Sequence, residues 1–238
     1  MTDINDQHFL TDEKVIRRMV QEARVKPTDI VLDIGAGSGA ITRRIPLCKS
    51  IIAVEKDTAL AAQLKTLPNV TVLEADAMRV PLTANKIISN LPFSILDSIT
   101  YHLFRTDFEI AVLLVPITFA EKLQAGEIIL SLLANAFFTM EVKDEVEPVP
   151  DTKMCILVVR KKVAESTRDF FIQQLFLQRD KKVKNALRET YVRWKKATKR
   201  EGEAYASSLG LSDTLLATEV PHLTFDDYET ILAAVEKA

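Results

Sequence analysis

Ile30-Val31-Leu32-Asp33-Ile34-Gly35 is a short apolar run broken by one acid and closed by a glycine, and Ala36-Gly37-Ser38-Gly39-Ala40 follows at once. A run apolar on both alternating faces suits a strand covered on both sides, as in a parallel sheet. The glycines allow a tight turn and close approach of the main chain to a neighbour, so the expected unit is strand, turn, helix. Such a strand needs parallel partners, and the sequence supplies them in "SIIAVE", "NVTVLEA", "NKIISN", "IAVLLV" and "CILVVR", with helical pieces such as "DTALAAQLKTL" between the earlier ones. That alternation predicts an α/β domain with right-handed crossovers. Upstream, Val15, Ile16, Met19, Val20 and Ala23 recur at helical spacing, predicting an amphipathic helix from Asp12 to Arg24 that Pro27 stops. "EIILSLLANAFFTMEV" fits a helix leading into a late strand.

After Lys162 strand alternation ceases. "TRDFFIQQLFLQRDKKVKNALRETYVRWKKATKR" is rich in helix formers, and "LSDTLLATEV" and "TFDDYETILAAVEKA" each open on a capping Ser or Thr. The expected organisation is a ligand-binding domain over 1–164 and a small helical domain over 165–238. At 238 residues, 47% hydrophobic and 27% charged, the chain has enough apolar side chains for one large core and a smaller one. A net charge of -2 predicts neither nucleic-acid nor membrane binding by itself. Cys48 and Cys155 lie far apart without metal-ligand spacing and read as reduced thiols, with no metal site. The start "MTDINDQHFL" lacks an apolar signal core and no apolar run reaches the roughly 20 residues of a membrane span, so the expectation is a cytoplasmic monomer with no membrane partner.

The chemistry concentrates at the ends of the strand-like runs. Gly35 and Gly37, with free N–H groups where a helix would start, suit a nucleotide-like cofactor, and Glu55, ending the next run, is placed to grip ribose hydroxyls. Gly35, Gly37 and Ala40 also satisfy the dinucleotide fingerprint, which keeps a nicotinamide-dependent oxidoreductase open. Asp33 favours S-adenosylmethionine instead: an acid there can sit near the amino group of the methionine moiety, and it repels a pyrophosphate. Asp76, with Ala77 beside it in "EADAM", can accept from an adenine amine or simply cap a helix. "NKIISN" ends in Asn90-Leu91-Pro92-Phe93. An amide, a rigid proline and an aromatic ring at that place suit a planar base with an exocyclic amine. Phe93 would stack on the base, the Asn90 side-chain oxygen and Leu91 carbonyl would accept the amine protons, and Pro92 would fix them.

In this order and spacing, "QHFL", "DIGAGSG", "VEKD", "EADAM" and "NLPF" resemble the rRNA adenine N6,N6-dimethyltransferases, which include the small-subunit rRNA dimethylases and the erythromycin-resistance methyltransferases. "LFLQRDKKVKNALRE" resembles the basic C-terminal helix of the small-subunit group. The resemblance implies a class I, Rossmann-like S-adenosylmethionine-dependent methyltransferase of seven strands with a small C-terminal helical domain, acting on rRNA or a small-subunit precursor. It implies that Gln7, His8 and Leu10 border the methionine end of the cofactor, and that Gly35 lines the turn. Glu55 would hold the ribose, Asp76 the cofactor adenine, and Asn90 to Phe93 the target base. Many relatives carry tyrosine where this chain has Phe93, which keeps the stacking face. The chain departs from the family at "MTDIND", "VPITFAEKL", "QAGE" and "PVPDTKM", segments that face the substrate in relatives. Those departures motivate a third reading, an RNA-binding assembly or transcription factor with weak catalysis.

Arg179, Lys181, Lys182, Lys184, Arg188, Arg193, Lys195, Lys196, Lys199 and Arg200 crowd one segment, interleaved with Tyr191 and Trp194. The clustering suits contacts to RNA phosphates, or else a solvated helix face.

Overall fold

The computed structural model describes residues 10–149 and 152–238. The chain divides into two compact units: one holds the residues up to Gln124 together with Phe138–Lys161, the other Ala125–Phe137 with Lys162–Ala238. The division falls near the predicted boundary at Ala164, but the helical unit also takes a segment from inside the expected first domain.

In the first unit, helix α1 (Glu13–Ala23) starts where the Asp12 carboxylate accepts the N–H groups of Lys14 and Val15, and stops at Arg24 in the left-handed region (φ 50). Such a cap is worth about 1 kcal/mol. Its buried face is Val15, Ile16, Met19 and Ala23; Val20, the fifth residue of the predicted face, is only partly buried. The sheet has seven strands: β1 (Ile30–Ile34), β2 (Ser50–Glu55), β3 (Val70–Glu74), β4 (Lys86–Asn90), β5 (Ile110–Pro116), β6 (Phe138–Val149) and β7 (Thr152–Lys161). Their order is β3-β2-β1-β4-β5-β7-β6. Strands β1 to β5 run parallel, while β7 is antiparallel to both β5 and β6. Helices α2 (Thr58–Leu64), α3 (Leu96–Leu103) and α4 (Ile117–Ala125) complete the crossovers. One core cluster joins Ile16 and Met19 of α1 to Val31, Ile88, Val112, Leu114 and Ile156 of the sheet. Full burial of each large side chain there contributes about 2 kcal/mol.

At the entry to β1 and β4, Asn85 accepts the Ile30 N–H (2.7 Å) and donates to Asp29 (2.6 Å), while Lys86, only 1% exposed, reaches Glu109 at 2.8 Å. These polar ties fix the register of the two central strands. Because the chain winds outward from β1 to β3 and then restarts at β4, the strand order reverses between β1 and β4. Open α/β sheets bind ligands in the crevice outside that point.

One expectation fails. No α-helix follows the glycine turn; only a 3-10 turn forms, at Thr42–Arg44. Pro46 restricts Ile45 to extended geometry (φ -64, ψ 127), leaving too few residues after Gly39 for a full helix.

The second unit is helical. Helix α5 (Ile129–Phe137) comes from the ambiguous apolar segment, which changes to strand β6 at Phe138. Helices α6 (Thr167–Leu177), α7 (Val183–Lys195), α8 (Lys199–Ser208), α9 (Asp213–Ala217) and α10 (Phe225–Lys237) follow. Ser166, Thr198, Ser212 and Thr224 cap four of them, Thr198 and Thr224 in full capping boxes. Gly202 lets α8 approach α7: a Cβ there would stand 2.7 Å from the Arg188 carbonyl oxygen.

Candidate active site

Gly35, Gly37 and Gly39 all adopt left-handed backbone (φ 68, 56 and 83), which only glycine takes without strain. The Gly35 and Ala36 N–H groups both donate to the Val54 carbonyl (2.8 and 3.1 Å), folding the turn onto the end of β2. Gly37 N–H donates to Glu55 Oε2 at 2.8 Å and Asp57 N–H to Glu55 Oε1 at 2.9 Å. Glu55 is 4% exposed, so one buried carboxylate ties together the turns after β1 and β2.

Asp33 is 1% exposed, and its Oδ2 accepts the Thr42 hydroxyl at 2.7 Å. Burial pushes its carboxyl up to about 7; the hydroxyl and main-chain N–H of Thr42 pull the other way, and the like charge of Glu55 adds to the rise. The sequence suggests this acid as a neighbour of a ligand's amino group; the structure adds that its Oδ2 is bonded to Thr42 on the inside of the turn. Neither Thr42 nor the Val54 carbonyl was identifiable from the sequence, since no local motif marks a partner nine or nineteen residues away.

Ser89, next to last in β4, is buried and donates to the carbonyl of Ile34, the last residue of β1, binding the two strands together where they end. Asn90 follows, half-buried and in register with Leu114. The Pro92 ring is a near neighbour of Gly35: a Cβ on that glycine would stand 3.4 Å from Pro92 Cδ. The glycine turn and the Asn90–Phe93 segment therefore lie within about one methyl group's reach of each other across the switch point. Leu91 is buried, and Phe93 is half-buried with part of its ring packed on the core cluster. A 3-10 turn at Phe93–Ile95, closed by the Ile95 N–H on the Pro92 carbonyl (3.2 Å), leads into α3.

Asp76, after β3, is exposed and caps a 3-10 turn at Ala77–Arg79 by accepting the Met78 N–H at 2.9 Å; Ala77 is buried. Ala75 N–H donates to the Glu55 carbonyl (3.1 Å), which places this loop beside that of β2. Leu10 is buried in the α1 core cluster. Gln7 and His8 lie outside the described residues. The structure thus gathers Asp33, Gly35, Gly37, Glu55, Asp76 and Asn90–Phe93 at the carboxyl ends of β1 to β4.

This donor set fits S-adenosylmethionine. The left-handed glycines leave no side chain between a ligand and the main chain, and each Glu55 oxygen keeps a lone pair for a ribose hydroxyl. Two buried carboxylates under the turn oppose a pyrophosphate and suit a cation. Among the described residues, no cluster of His, Cys, Asp or Glu is placed to hold a metal ion.

In the helical unit, the basic segment is partly neutralised from within. Lys184 pairs with Glu203 at 2.7 Å, and Arg188 with Glu189 at 3.0 Å and Glu203 at 3.7 Å. Arg193 donates to Gln174. Trp194 packs edge-on against Phe171 (5.5 Å between centroids) and Tyr191 stacks on Tyr205 (4.1 Å), so both half-buried aromatics have ring partners within the helical unit. Lys182, Lys195, Lys196, Lys199 and Arg200 are exposed. An open concavity of about 410 Å³ is walled by Lys182, Lys184, Asn185, Ser207 and Asp213.

Sheet order, glycine turn and the Asn90 segment at the switch point together define a class I, Rossmann-like methyltransferase with S-adenosylmethionine as its cofactor. The family model described as ribosomal RNA adenine dimethylase matches residues 5–210, and the chain belongs to that family. It is 34% identical over 207 residues to a probable ribosomal RNA small subunit methyltransferase A of Methanosarcina mazei, covering 78% of this chain and 76% of the relative. To the protein of the same name from Methanopyrus kandleri it is 30% identical over 256 residues, covering 98% and 91%. Among solved structures, a dimethyladenosine transferase from Plasmodium falciparum superposes with a TM-score of 0.62 at 20% identity over 97% of this chain and 98% of that one. The 23S rRNA methyltransferase ErmE gives 0.60 at 20% identity over 96% and 99%. The chain is therefore an enzyme of the rRNA adenine-methylating class, and the readings as an oxidoreductase or as a weakly catalytic assembly or transcription factor have no support.

Proposed function

We propose that this chain methylates N6 of adenosine in small-subunit rRNA or its precursor particle, acting as a monomer in the cytoplasm. The observation that carries the reading is the closeness of Gly35 to Pro92, where an added Cβ would stand 3.4 Å from the ring; it supports a cofactor turn and a base-holding segment side by side. When bound, S-adenosylmethionine supplies an electrophilic methyl group on a sulfonium.

Gly35 and Gly37 give that cofactor main-chain access, Glu55 receives its ribose, and Asp76, with Ala77 beside it, accepts its adenine amine through the oxygen not spent on Met78. The target N6 lone pair is delocalised into the ring and is a weak nucleophile. The Asn90 side-chain oxygen and the Leu91 carbonyl accept its two protons, favour a more tetrahedral nitrogen and stabilise the positive charge that develops on attack. Pro92 holds those acceptors still and Phe93 covers the base. Positioning and electrostatics then lower the barrier without a strong base. An adenosine in an RNA loop reaches such a pocket at lower cost than a paired one. The exposed cations of α7 and α8 supply phosphate contacts.

Incubation with labelled S-adenosylmethionine and small-subunit RNA or particles, followed by mapping of modified adenosines, tests the reading. Label is expected at N6. Asn90→Ala should lower turnover by roughly 10²–10³ while leaving cofactor binding within a few-fold. Wild-type protein that binds the RNA tightly yet transfers no methyl group would overturn the assignment.

A further inference from the structure

The turn that approaches the cofactor is built from the residues least able to hold a shape. Three left-handed glycines in five positions carry the largest backbone entropy to be lost on ordering. The residues that hold them are therefore functional parts of the site. Two carboxylates brace this loop. Glu55 grips its middle at Gly37, and Asp33 grips its far end at Thr42, spanning residues 34–41 from the last turn of β1 to the first residue of the 3-10 segment.

We infer that Thr42 is a positioning residue of the cofactor site: it holds the Asp33 carboxylate beneath the glycine turn as an anion, and affinity for a cationic methyl donor depends on that hold. The inference rests on the reading that this turn receives S-adenosylmethionine.

Thr42 is 2% exposed and Asp33 less, so the bond between them is made away from water. The groups acting on Asp33 are the Thr42 hydroxyl and N–H from the 3-10 segment and the Glu55 carboxylate from β2; from β4, Ser89 turns to the Ile34 carbonyl instead. Among these, the charged one has the same sign as Asp33. A buried anion with neutral donors and a like charge beside it lacks a counter-charge. A sulfonium- and ammonium-bearing ligand supplies one. By linkage, whatever keeps Asp33 ionised favours that ligand, and that ligand favours ionised Asp33. A hydroxyl bonded to a buried carboxylate favours its charged form, so Thr42 sets the pH above which the site is ready.

The sign follows from the carboxyl's rise from 3.8 to about 7. Between these values the folded chain keeps a proton that the unfolded chain has lost. Stability of the ligand-free protein therefore falls as pH rises across this window, and Asp33 adds no further slope above it. Cofactor affinity moves oppositely, rising through about 7 and levelling above it.

The test is calorimetric titration of full-length protein with S-adenosylmethionine from pH 6 to 9, beside melting of the ligand-free protein over pH 4 to 9. Wild type should gain affinity through neutrality. Thr42→Val should bind about tenfold more weakly at pH 7.5, with the rise displaced to higher pH and the melting slope continuing above 7. Thr42→Ser, which keeps the hydroxyl, should restore both profiles. Asp33→Asn should bind weakly with no rise near 7. A merely structural threonine would lower melting without moving either pH profile, and that result overturns the inference. So does Thr42→Ser behaving like Thr42→Val, or Thr42→Val binding like wild type. Wild type that fails to bind at any pH overturns the cofactor reading itself.

Discussion

Beneath the glycine turn, Asp33 and Glu55 are almost fully buried and take their hydrogen bonds from a hydroxyl and from main-chain N–H groups. On α7 and α8, Lys184, Arg188 and Glu203 are part-exposed and pair with opposite charges. The acids in the first region are few and held rigidly by dipoles that cannot move away. Those in the second are screened by water, and each pair is worth at most about 1 kcal/mol. Burial, not charge count, decides which charges shape a site. Ten cations in one segment read from the sequence as a phosphate-binding face, yet two of them are committed to a glutamate on the next helix.

Three changes would break or sharpen this contrast. The largest effect is expected at Gly39, where φ is 83 and a Cβ would stand 2.8 Å from Leu64 Cδ2. Gly39→Ala should cost roughly 1–3 kcal/mol in denaturant unfolding. A loss near zero would show that the turn is less constrained than its bonds imply. Next, Glu203→Gln should leave stability within about 1 kcal/mol while releasing Lys184 and leaving Arg188 to Glu189 alone. RNA affinity at low salt should rise several-fold and the salt slope steepen by about one. An unchanged slope would mean that these two cations do not meet phosphate. The smallest effect is expected at Tyr205, whose hydroxyl is buried without a hydrogen-bond partner and whose burial pushes its pKa up to about 12. Tyr205→Phe keeps the stack on Tyr191 and should change stability by less than about 0.5 kcal/mol, or raise it, by calorimetric melting.

What was legible in the sequence was what local rules govern. Helix α1 could be read to within a residue at each end, because apolar spacing and a stopping proline are properties of neighbouring residues. So could the strand runs, and with them the placing of Gly35, Glu55 and Asn90 at strand ends, because a parallel sheet brings all those ends to one side. What escaped depended on distant partners. The short 3-10 turn at Thr42 was missed because Pro46 acts on it from outside the helical pattern. The inward role of Asp33 was missed because only the fold supplies Thr42 as its donor. The packing of Tyr191 and Trp194 was hidden because their partners Tyr205 and Phe171 lie fourteen or more residues away. The place of α5 in the helical unit was hidden for the same reason: its partners come after Lys162.

Strand β7 slots between β5 and β6 although it is last in sequence. While the chain emerges from the ribosome, β5 is synthesised some forty residues before the segment that will lie alongside it. For that interval its fully apolar edge offers an open ladder to any passing strand, the hazard that edge strands carry in general. Completion of the sheet therefore waits on Thr152–Lys161, and a chain released before that segment should be sticky rather than merely truncated.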